Sequence, residues 1–147
     1  MPYHLIAVNG GRVCQRRDDQ VKTDTAERTD KAQQWEIEGS VNGEVAFRNL
    51  ANGEYLNAEK GDAAGKVKVG PRQTWKLEKG YAPNSVWIKS VEFEDKKACL
   101  CNSYANHTKD NVVYMWPQQD AWEHSMLWYI RDVNECGADP LMLLHVQ

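Results

Sequence analysis

The sequence predicts an all-β domain with pseudo-threefold symmetry, and three observations support this prediction. First, one segment recurs with a period of just over 40 residues, at 3–15, 45–57 and 86–101 of the 147-residue chain. Second, each copy is followed by a closing tryptophan, at Trp35, Trp75 and Trp128. Third, short β-branched runs alternate with turn residues, and we find no amphipathic helix of four turns. A repeat of this length that stops after three copies restricts the architecture more than any single residue does.

The predicted strands and turns occupy corresponding places in the units. Strands are expected at 5–8, 45–47, 66–69, 86–88 and 112–115. Asn9-Gly10 and Asn52-Gly53 predict the positive φ angles of two-residue hairpins, and Asp95-Lys96 stands at the same place in the third unit. Asn42-Gly43 predicts a further hairpin between units, and a short helical turn is expected within 23–31. Each unit should therefore hold about four short strands.

Three such units can bury their apolar faces together as a β-trefoil. In this architecture each unit gives two strands to a barrel wall and two to a hairpin cap, and closure of the barrel removes the unpaired strand edges. The first strand, near 3–8, should pair with the last, near 127–131, to seal the wall. The sequence thus predicts one β-trefoil domain at 1–131, with repeats at about 1–39, 40–80 and 81–131.

The closing segments indicate a structural role. The indoles of Trp35, Trp75 and Trp128 are expected in the core. Glutamines two residues earlier, Gln33 and Gln73, should bond backbone groups left over where a unit ends, whereas Met126 replaces the glutamine in the third unit. Three residues that align with one another are also expected in the core: Cys14, Leu56 and Leu100.

The third unit is longer than the others. The closing tryptophans lie 40 residues apart between Trp35 and Trp75 but 53 apart between Trp75 and Trp128. We expect insertions within 101–110 and 118–125. The tail, 132–147, lies outside the repeats, and its apolar stretch 140–146 is expected to dock on the barrel or on a second subunit, which would give a homodimer.

Composition argues against several classes of function. A net charge of −3 with interspersed charges gives no electrostatic footprint for nucleic acid. No stretch has the length of a membrane span, and the amino terminus does not resemble a signal peptide, so a cytoplasmic protein is expected, with non-classical secretion as the other route. Cys99 and Cys101 stand two apart on a predicted strand, which favours free thiols.

The closing segments carry a family resemblance. Gln33-Gln34-Trp35 and Gln73-Thr74-Trp75, together with Cys99-Leu-Cys-Asn102 and Val113-Tyr-Met-Trp-Pro117, resemble the repeat signature (Gln-x-Trp) of the ricin B-chain type of β-trefoil lectins. The resemblance covers about 3–131. It implies a non-catalytic carbohydrate-binding protein whose partners are glycans or glycoproteins. A likeness to mushroom proteins of the same fold suggests a fungal source.

The resemblance places the sugar site in the third unit. Trp116 matches the family tryptophan that stacks on a sugar ring, whereas Asp24 and Gly70 hold that place in the other units. The family aspartate that binds hydroxyls falls at Gln15, Asn57 and Cys101, so no unit keeps it. Gln15 and Asn57 remain possible amide partners for hydroxyls. Further candidate contacts lie close to Trp116 in sequence: Asn102, Tyr104, Asn111, Tyr114, Gln118, Gln119 and Asp120. The alternative for Trp116 is packing against the inserted loop.

A second class of binder stays open. Mushroom β-trefoil protease inhibitors resemble this chain in size and in lacking evident disulfides, and they present surface loops to a protease. The candidate loops are 16–20, 59–66 and 103–111. Enzymatic readings are disfavoured, because the four histidines are scattered and no nucleophile, phosphate loop or zinc spacing is evident. No catalytic residues, metal or cofactor are expected.

Overall fold

The computed structural model describes residues 2–9, 11, 13–102, 111–119 and 125–134. Twelve β-strands and two short 3₁₀ turns form within these ranges. The strands of the first unit are β1 Pro2–Ala7, β2 Val13–Arg17, β3 Gln20–Asp24 and β4 Trp35–Gly39. Those of the second are β5 Glu44–Asn49, β6 Tyr55–Ala58, β7 Gly65–Gly70 and β8 Trp75–Lys79. The third holds β9 Val86–Ser90, β10 Ala98–Asn102, β11 Asn111–Pro117 and β12 Leu127–Asp132.

Six strands close into a barrel. β1 pairs with β4, β4 with β5, β5 with β8, β8 with β9, β9 with β12, and β12 returns to β1. The ladder between β1 and β12 closes the barrel, from Tyr3 opposite Asp132 to Ala7 opposite Trp128. The other six strands form the hairpins β2–β3, β6–β7 and β10–β11, whose second strands contact one another in a triangle. The predicted β-trefoil is therefore confirmed, together with the pairing of the first and last strands.

The closing tryptophans form the centre of the core. Trp35, Trp75 and Trp128 are fully buried. Each indole Nε1 donates to a backbone carbonyl at the same place in its unit: Cys14 at 3.3 Å, Leu56 at 3.3 Å and Leu100 at 2.9 Å. These three acceptor residues are themselves fully buried. The core positions predicted for the three tryptophans and for the three residues aligned with one another are confirmed. A buried indole N–H needs an acceptor, and the threefold repeat supplies one in each unit.

The closing glutamines bond the backbone, as expected. Gln73 Oε1 accepts from the Ala58 N–H at 2.9 Å, and Gln73 Nε2 donates to the Ala58 carbonyl at 2.9 Å. Gln33 accepts from the Glu27 N–H at 2.7 Å and donates to the Thr25 carbonyl at 3.0 Å. Met126 is buried in the corresponding place of the third unit and packs in an apolar cluster instead.

Replacing Gln73 by the residue of the third unit tests this role. Gln73→Met leaves the N–H and C=O of Ala58 without their amide partner, so we expect a loss of about 1–3 kcal/mol in the free energy of unfolding. Urea denaturation followed by circular dichroism measures it. The matched control is Gln20→Met at an exposed strand position, for which little change is expected. Equal stability of the two variants would contradict the role of the amide.

Two turn predictions are wrong. Between β5 and β6 the loop spans 50–54, with Gly53 at φ 75° and no positive φ at Asn52, whose side chain accepts from the Glu54 N–H. In the third unit a 3₁₀ turn, Glu94–Lys96, ends at Lys97 with φ 53°. The reason is topological. The strands joined by these turns share one register pair, such as Arg48 opposite Tyr55, so the chain crosses from wall to cap instead of folding straight back.

Other local expectations have different outcomes. β4 and β5 form a hairpin closed by a loop at 40–43, in which the Gly43 N–H donates to the Ser40 carbonyl at 2.9 Å, so the hairpin at Asn42-Gly43 is confirmed. The helical turn expected within 23–31 lies later, as the 3₁₀ turn Lys31–Gln33, because the side chain of Asp30 caps it by accepting from the Ala32 N–H.

Some expectations lie outside the described residues. These are Gly10 of the expected Asn9-Gly10 hairpin, most of the two expected insertions, at 103–110 and 120–124, and the tail from 135 onward with its docking and dimer predictions. Among the residues that are described, no helix is long and apolar enough to cross a membrane.

Candidate functional site

The hairpin β10–β11 presents two aromatic rings on the outer face of the third unit. Val113 and Met115 of β11 are buried in the main core. Tyr114 and Trp116 alternate with them and point to the opposite face, since side chains along a strand alternate. Tyr114 pairs with Cys101, and Trp116 pairs with Cys99. The local period of the strand therefore places both rings away from the barrel interior.

The two rings pack edge to face. Their centroids lie 5.9 Å apart with an interplanar angle of 79°. Both residues are partly buried against a second apolar cluster, formed by Trp87, Cys99, Cys101, Met126 and Leu127. Trp116 therefore rests on this second cluster, which holds its ring in a defined orientation while part of it stays accessible. The alternative packing against the inserted loop concerns residues outside the described ranges.

Polar groups lie along the edge of this aromatic pair. Cys99 is opposite both Trp116 and Lys89, so Lys89 stands in the same row across neighbouring strands. Glu78 accepts from Lys89 Nζ at 2.9 Å and from Gln118 Nε2 at 3.4 Å. The hydrogen bond from Lys89 holds the pKa of Glu78 below its ordinary value. The edge thus offers an ionised carboxylate, an ammonium group and an amide.

The sequence-predicted contacts do not all share this place. Tyr114, Trp116, Gln118 and Gln119 are described and partly exposed. Asn111 is described only through its backbone in β11, whereas Tyr104 and Asp120 lie outside the described residues.

Asn102 has a bracing role. It is 1 % exposed. Its Oδ1 accepts from Thr23 Oγ1 at 3.0 Å, and its Nδ2 donates to the Asn9 carbonyl at 3.3 Å. Because burial and these bonds commit the amide, the geometry argues against direct contact between Asn102 and a sugar.

The positions of the family aspartate are buried in all three units. Gln15 accepts from Gln33 Nε2 at 2.8 Å, and Asn57 donates to the Pro71 carbonyl at 2.8 Å. Cys101 is fully buried, and burial raises the pKa of its thiol to about 11. The amides suggested as hydroxyl partners are thus engaged within the protein. Cys14, Cys99 and Cys101 are free thiols.

The sequence reasoning missed Glu78 and Lys89, since both belong to wall strands far from Trp116 in sequence. A usable signal was present. Glu78 stands three residues after Trp75, as Glu38 stands three after Trp35. Glu38 also collects polar partners: the hydroxyl of Tyr55 at 3.1 Å and Arg72 Nε at 3.2 Å.

No metal site is apparent in the described ranges. Nowhere among those residues do three or more His, Cys, Asp and Glu side chains come together in a way that could hold an ion.

The barrel, the cap and the three similar units define this chain as a β-trefoil protein. No protein-family model matches its sequence, and no curated protein matches it either. Solved structures do share the fold. The designed threefold-symmetric protein ThreeFoil superposes with a TM-score of 0.78 at 15 % identity, covering 89 % of this chain and 98 % of its own.

Two natural structures with this fold are lectins or agglutinins by description. The ricin B-like lectin of Macrolepiota procera, solved in complex with lactose, has a TM-score of 0.75 at 23 % identity, with 88 % of this chain and 94 % of that chain covered. The Rhizoctonia solani agglutinin has a TM-score of 0.73 at 14 % identity, with 88 % and 92 % covered. At these identities the likeness shows the fold alone.

Proposed function

We propose that the protein is a non-catalytic carbohydrate-binding protein whose sugar site lies on the third unit around Trp116. The observation that carries the proposal is the edge-to-face pair of Tyr114 and Trp116, partly exposed and bordered by Glu78 and Gln118. Sugar recognition in water needs such a combination, because the C–H face of the ring packs on an aromatic surface while the hydroxyls need directed partners. The proposal is consistent with the descriptions of two proteins that share this fold, one a lectin and the other an agglutinin.

Each group has a role in this proposal. The indole of Trp116 stacks on the sugar, and Tyr114 fixes its tilt. The carboxylate of Glu78 accepts from hydroxyls, and Gln118 and Lys89 donate to them. Gln119, Asn111, Tyr104 and Asp120 remain proposed contacts from the surrounding segments. Asn102 braces the end of β10 through its bonds to Thr23 and Asn9.

A single site is proposed because the other units lack the aromatic platform. Gly70 has no side chain, and Asp24 has no ring to stack on a sugar. Gln15 and Asn57 use their amides within the protein. The expected stoichiometry is therefore one sugar site per chain.

Substitution of Trp116 tests the site. In a broad glycan-binding screen, Trp116→Ala should weaken the strongest signal about 30-fold, which corresponds to the 2 kcal/mol typical of a central aromatic contact. The matched control is Tyr81→Ala, which removes an exposed ring of the same unit that contacts Trp87. Tyr81→Ala should bind as the native protein does. Equal binding by native protein and Trp116→Ala would contradict the proposed site.

The inhibitor alternative is tested with the same samples. Papain-like and trypsin-like proteases are assayed with the native protein. Inhibition of either enzyme, with no glycan signal, would replace the carbohydrate proposal by inhibition through surface loops such as 16–20 or 59–66. Glycan binding without inhibition supports the proposal.

A further inference from the structure

The residue three positions after each closing tryptophan is acidic in the first two units and basic in the third. It is Glu38 in β4 and Glu78 in β8, but Arg131 in β12. Glu38 and Glu78 each contact a cation on the neighbouring wall strand: Arg48 at 3.4 Å and Lys89 at 2.9 Å. Two of the three equivalent places on the outer wall are thus acidic, and the third is basic.

The surroundings of Arg131 differ in the same way. Ile6 of β1 corresponds to Arg48 of β5. Ile6 is opposite Tyr129 and Arg48 is opposite Glu36, and each of these opposing residues directly follows a closing tryptophan. Val13 stands in place of Tyr55, and Ala26 in place of Arg72. Ile6, Val13, Ala26 and Arg131 line a cavity of about 470 Å³. At the equivalent place of the second unit, the hydroxyl of Tyr55 donates to Glu38.

A buried histidine also lines this cavity. His4 lies directly opposite Arg131 in the β1–β12 ladder, so the two side chains project on the same face. His4 is only 7 % exposed, and its Nε2 has no hydrogen-bond partner among the described residues. Buried polar nitrogens in folded proteins are nearly always bonded. An unpartnered imidazole nitrogen on the wall of a cavity therefore indicates a place for a ligand.

The charges around the cavity select the ligand. Arg28 lines it with Arg131, and the one carboxylate in its lining is Asp132. Asp132 is buried and accepts from the Asn134 N–H at 2.8 Å. Two guanidinium groups and an imidazole suit an oxyanion, because a guanidinium presents paired donors that match carboxylate and phosphate oxygens.

We propose that the cavity formed by β1, β12 and the segment near Arg28 binds a small oxyanion, held by Arg131, Arg28 and Nε2 of His4. The oxyanion group is a carboxylate, as in an acidic sugar, or an inorganic phosphate or sulfate. The site is separate from the family sugar position of the first unit, because Gln15 and Asp24 do not line the cavity. It is independent of the carbohydrate proposal for Trp116.

Binding at this site should depend on pH. Burial and the nearby Arg131 lower the pKa of His4, which favours the neutral imidazole in the free protein. The charged residues that line the cavity with it are Arg131 on β12, Arg28 and Asp132. A bound anion stabilises the protonated imidazole and raises its pKa, so binding takes up a proton. Affinity for sulfate or a carboxylate, whose own charge is constant near neutral pH, should therefore rise as the pH falls.

Titration of the full chain tests the site. Phosphate, sulfate and glucuronate are added separately, with glucose as the neutral arm, and imidazole NMR signals are followed, His4 being assigned by loss of its signal in His4→Gln. We expect at least one anion, and not glucose, to shift the His4 signal with saturation. Phosphate or sulfate binding alone identifies an inorganic ligand, whereas glucuronate binding alone identifies a carboxylate.

Matched variants separate binding from folding. Arg131→Gln should weaken the anion at least tenfold, and Arg131→Lys, which keeps the charge, should weaken it less. Arg72→Gln, which removes an arginine outside the cavity at the place of the second unit that corresponds to Ala26, should have no effect. The glycan signal of the third unit should be unchanged in all three variants. Absence of a saturable His4 shift with any anion, or equal affinity in Arg131→Gln, would overturn the proposal.

Discussion

Trp128→Ala is expected to lower the free energy of unfolding by about 3–5 kcal/mol, the usual cost of removing a buried aromatic ring. Trp128 is fully buried and donates through Nε1 to the Leu100 carbonyl at 2.9 Å. The substitution leaves a cavity and a buried carbonyl without its donor. Since domains are stable by about 5–15 kcal/mol, this loss is a large fraction of the total stability. Urea denaturation followed by far-ultraviolet circular dichroism measures the change.

Two further variants divide this cost. Trp128→Phe keeps most of the apolar area but loses the hydrogen bond, so a smaller loss of about 1–2 kcal/mol is expected. Trp116→Ala removes an indole that is only partly buried on the outer face, and its effect on stability should be well below that of Trp128→Ala. Equal losses for the two alanine variants would contradict the division between core and surface tryptophans.

Gly39→Ala is expected to cost about 3–4 kcal/mol, from backbone strain and from a steric clash together. Gly39 ends β4 with φ 103°, a conformation that other residues rarely adopt. A Cβ added there would overlap the carbonyl oxygen of Glu44 and lie 3.3 Å from the Cα of Val45. That carbonyl accepts from the Ser40 N–H at 3.2 Å. Relief of the clash would therefore disturb the hairpin between the first two units.

Gly53→Ala is the matched control. Gly53 also has a positive φ, 75°, but an added Cβ would meet nothing within 4 Å. Strain alone should cost about 1–2 kcal/mol. The same urea titration compares the two variants. If Gly53→Ala were as destabilising as Gly39→Ala, the clash with Glu44 would have no measurable effect.

The core and the symmetry could be predicted from the sequence because both depend on local pattern. Tryptophans that recur together with aligned apolar residues indicate side chains buried where the units pack, and the same contacts then form in each unit. Trp35, Trp75 and Trp128 are all buried and all donate to equivalent carbonyls. The turns were less predictable. Asn52-Gly53 is typical of a tight hairpin, but here it joins strands that share one pair, and that is a property of the topology.

Some residues of the candidate site could likewise be predicted from local pattern, whereas others could not. Trp116 and Tyr114 were accessible from the sequence, because a strand alternates its side chains and the family resemblance marks this place. Asn102 is near Trp116 in sequence, but its amide is bonded by Thr23 and Asn9, which approach it from the first unit. Glu78 and Lys89 are far from Trp116 in sequence, and only the wall strands bring them beside the hairpin.

Three similar units closed by buried tryptophans can be inferred from the sequence alone, because apolar residues that recur at regular spacing indicate which positions are buried. Which polar groups meet across units depends on the folded structure. Glu78 beside Gln118, Asn102 bonded to Thr23, and His4 opposite Arg131 are contacts between segments far apart in the chain. They follow from closure of the barrel, which sets strand registers that no local pattern contains.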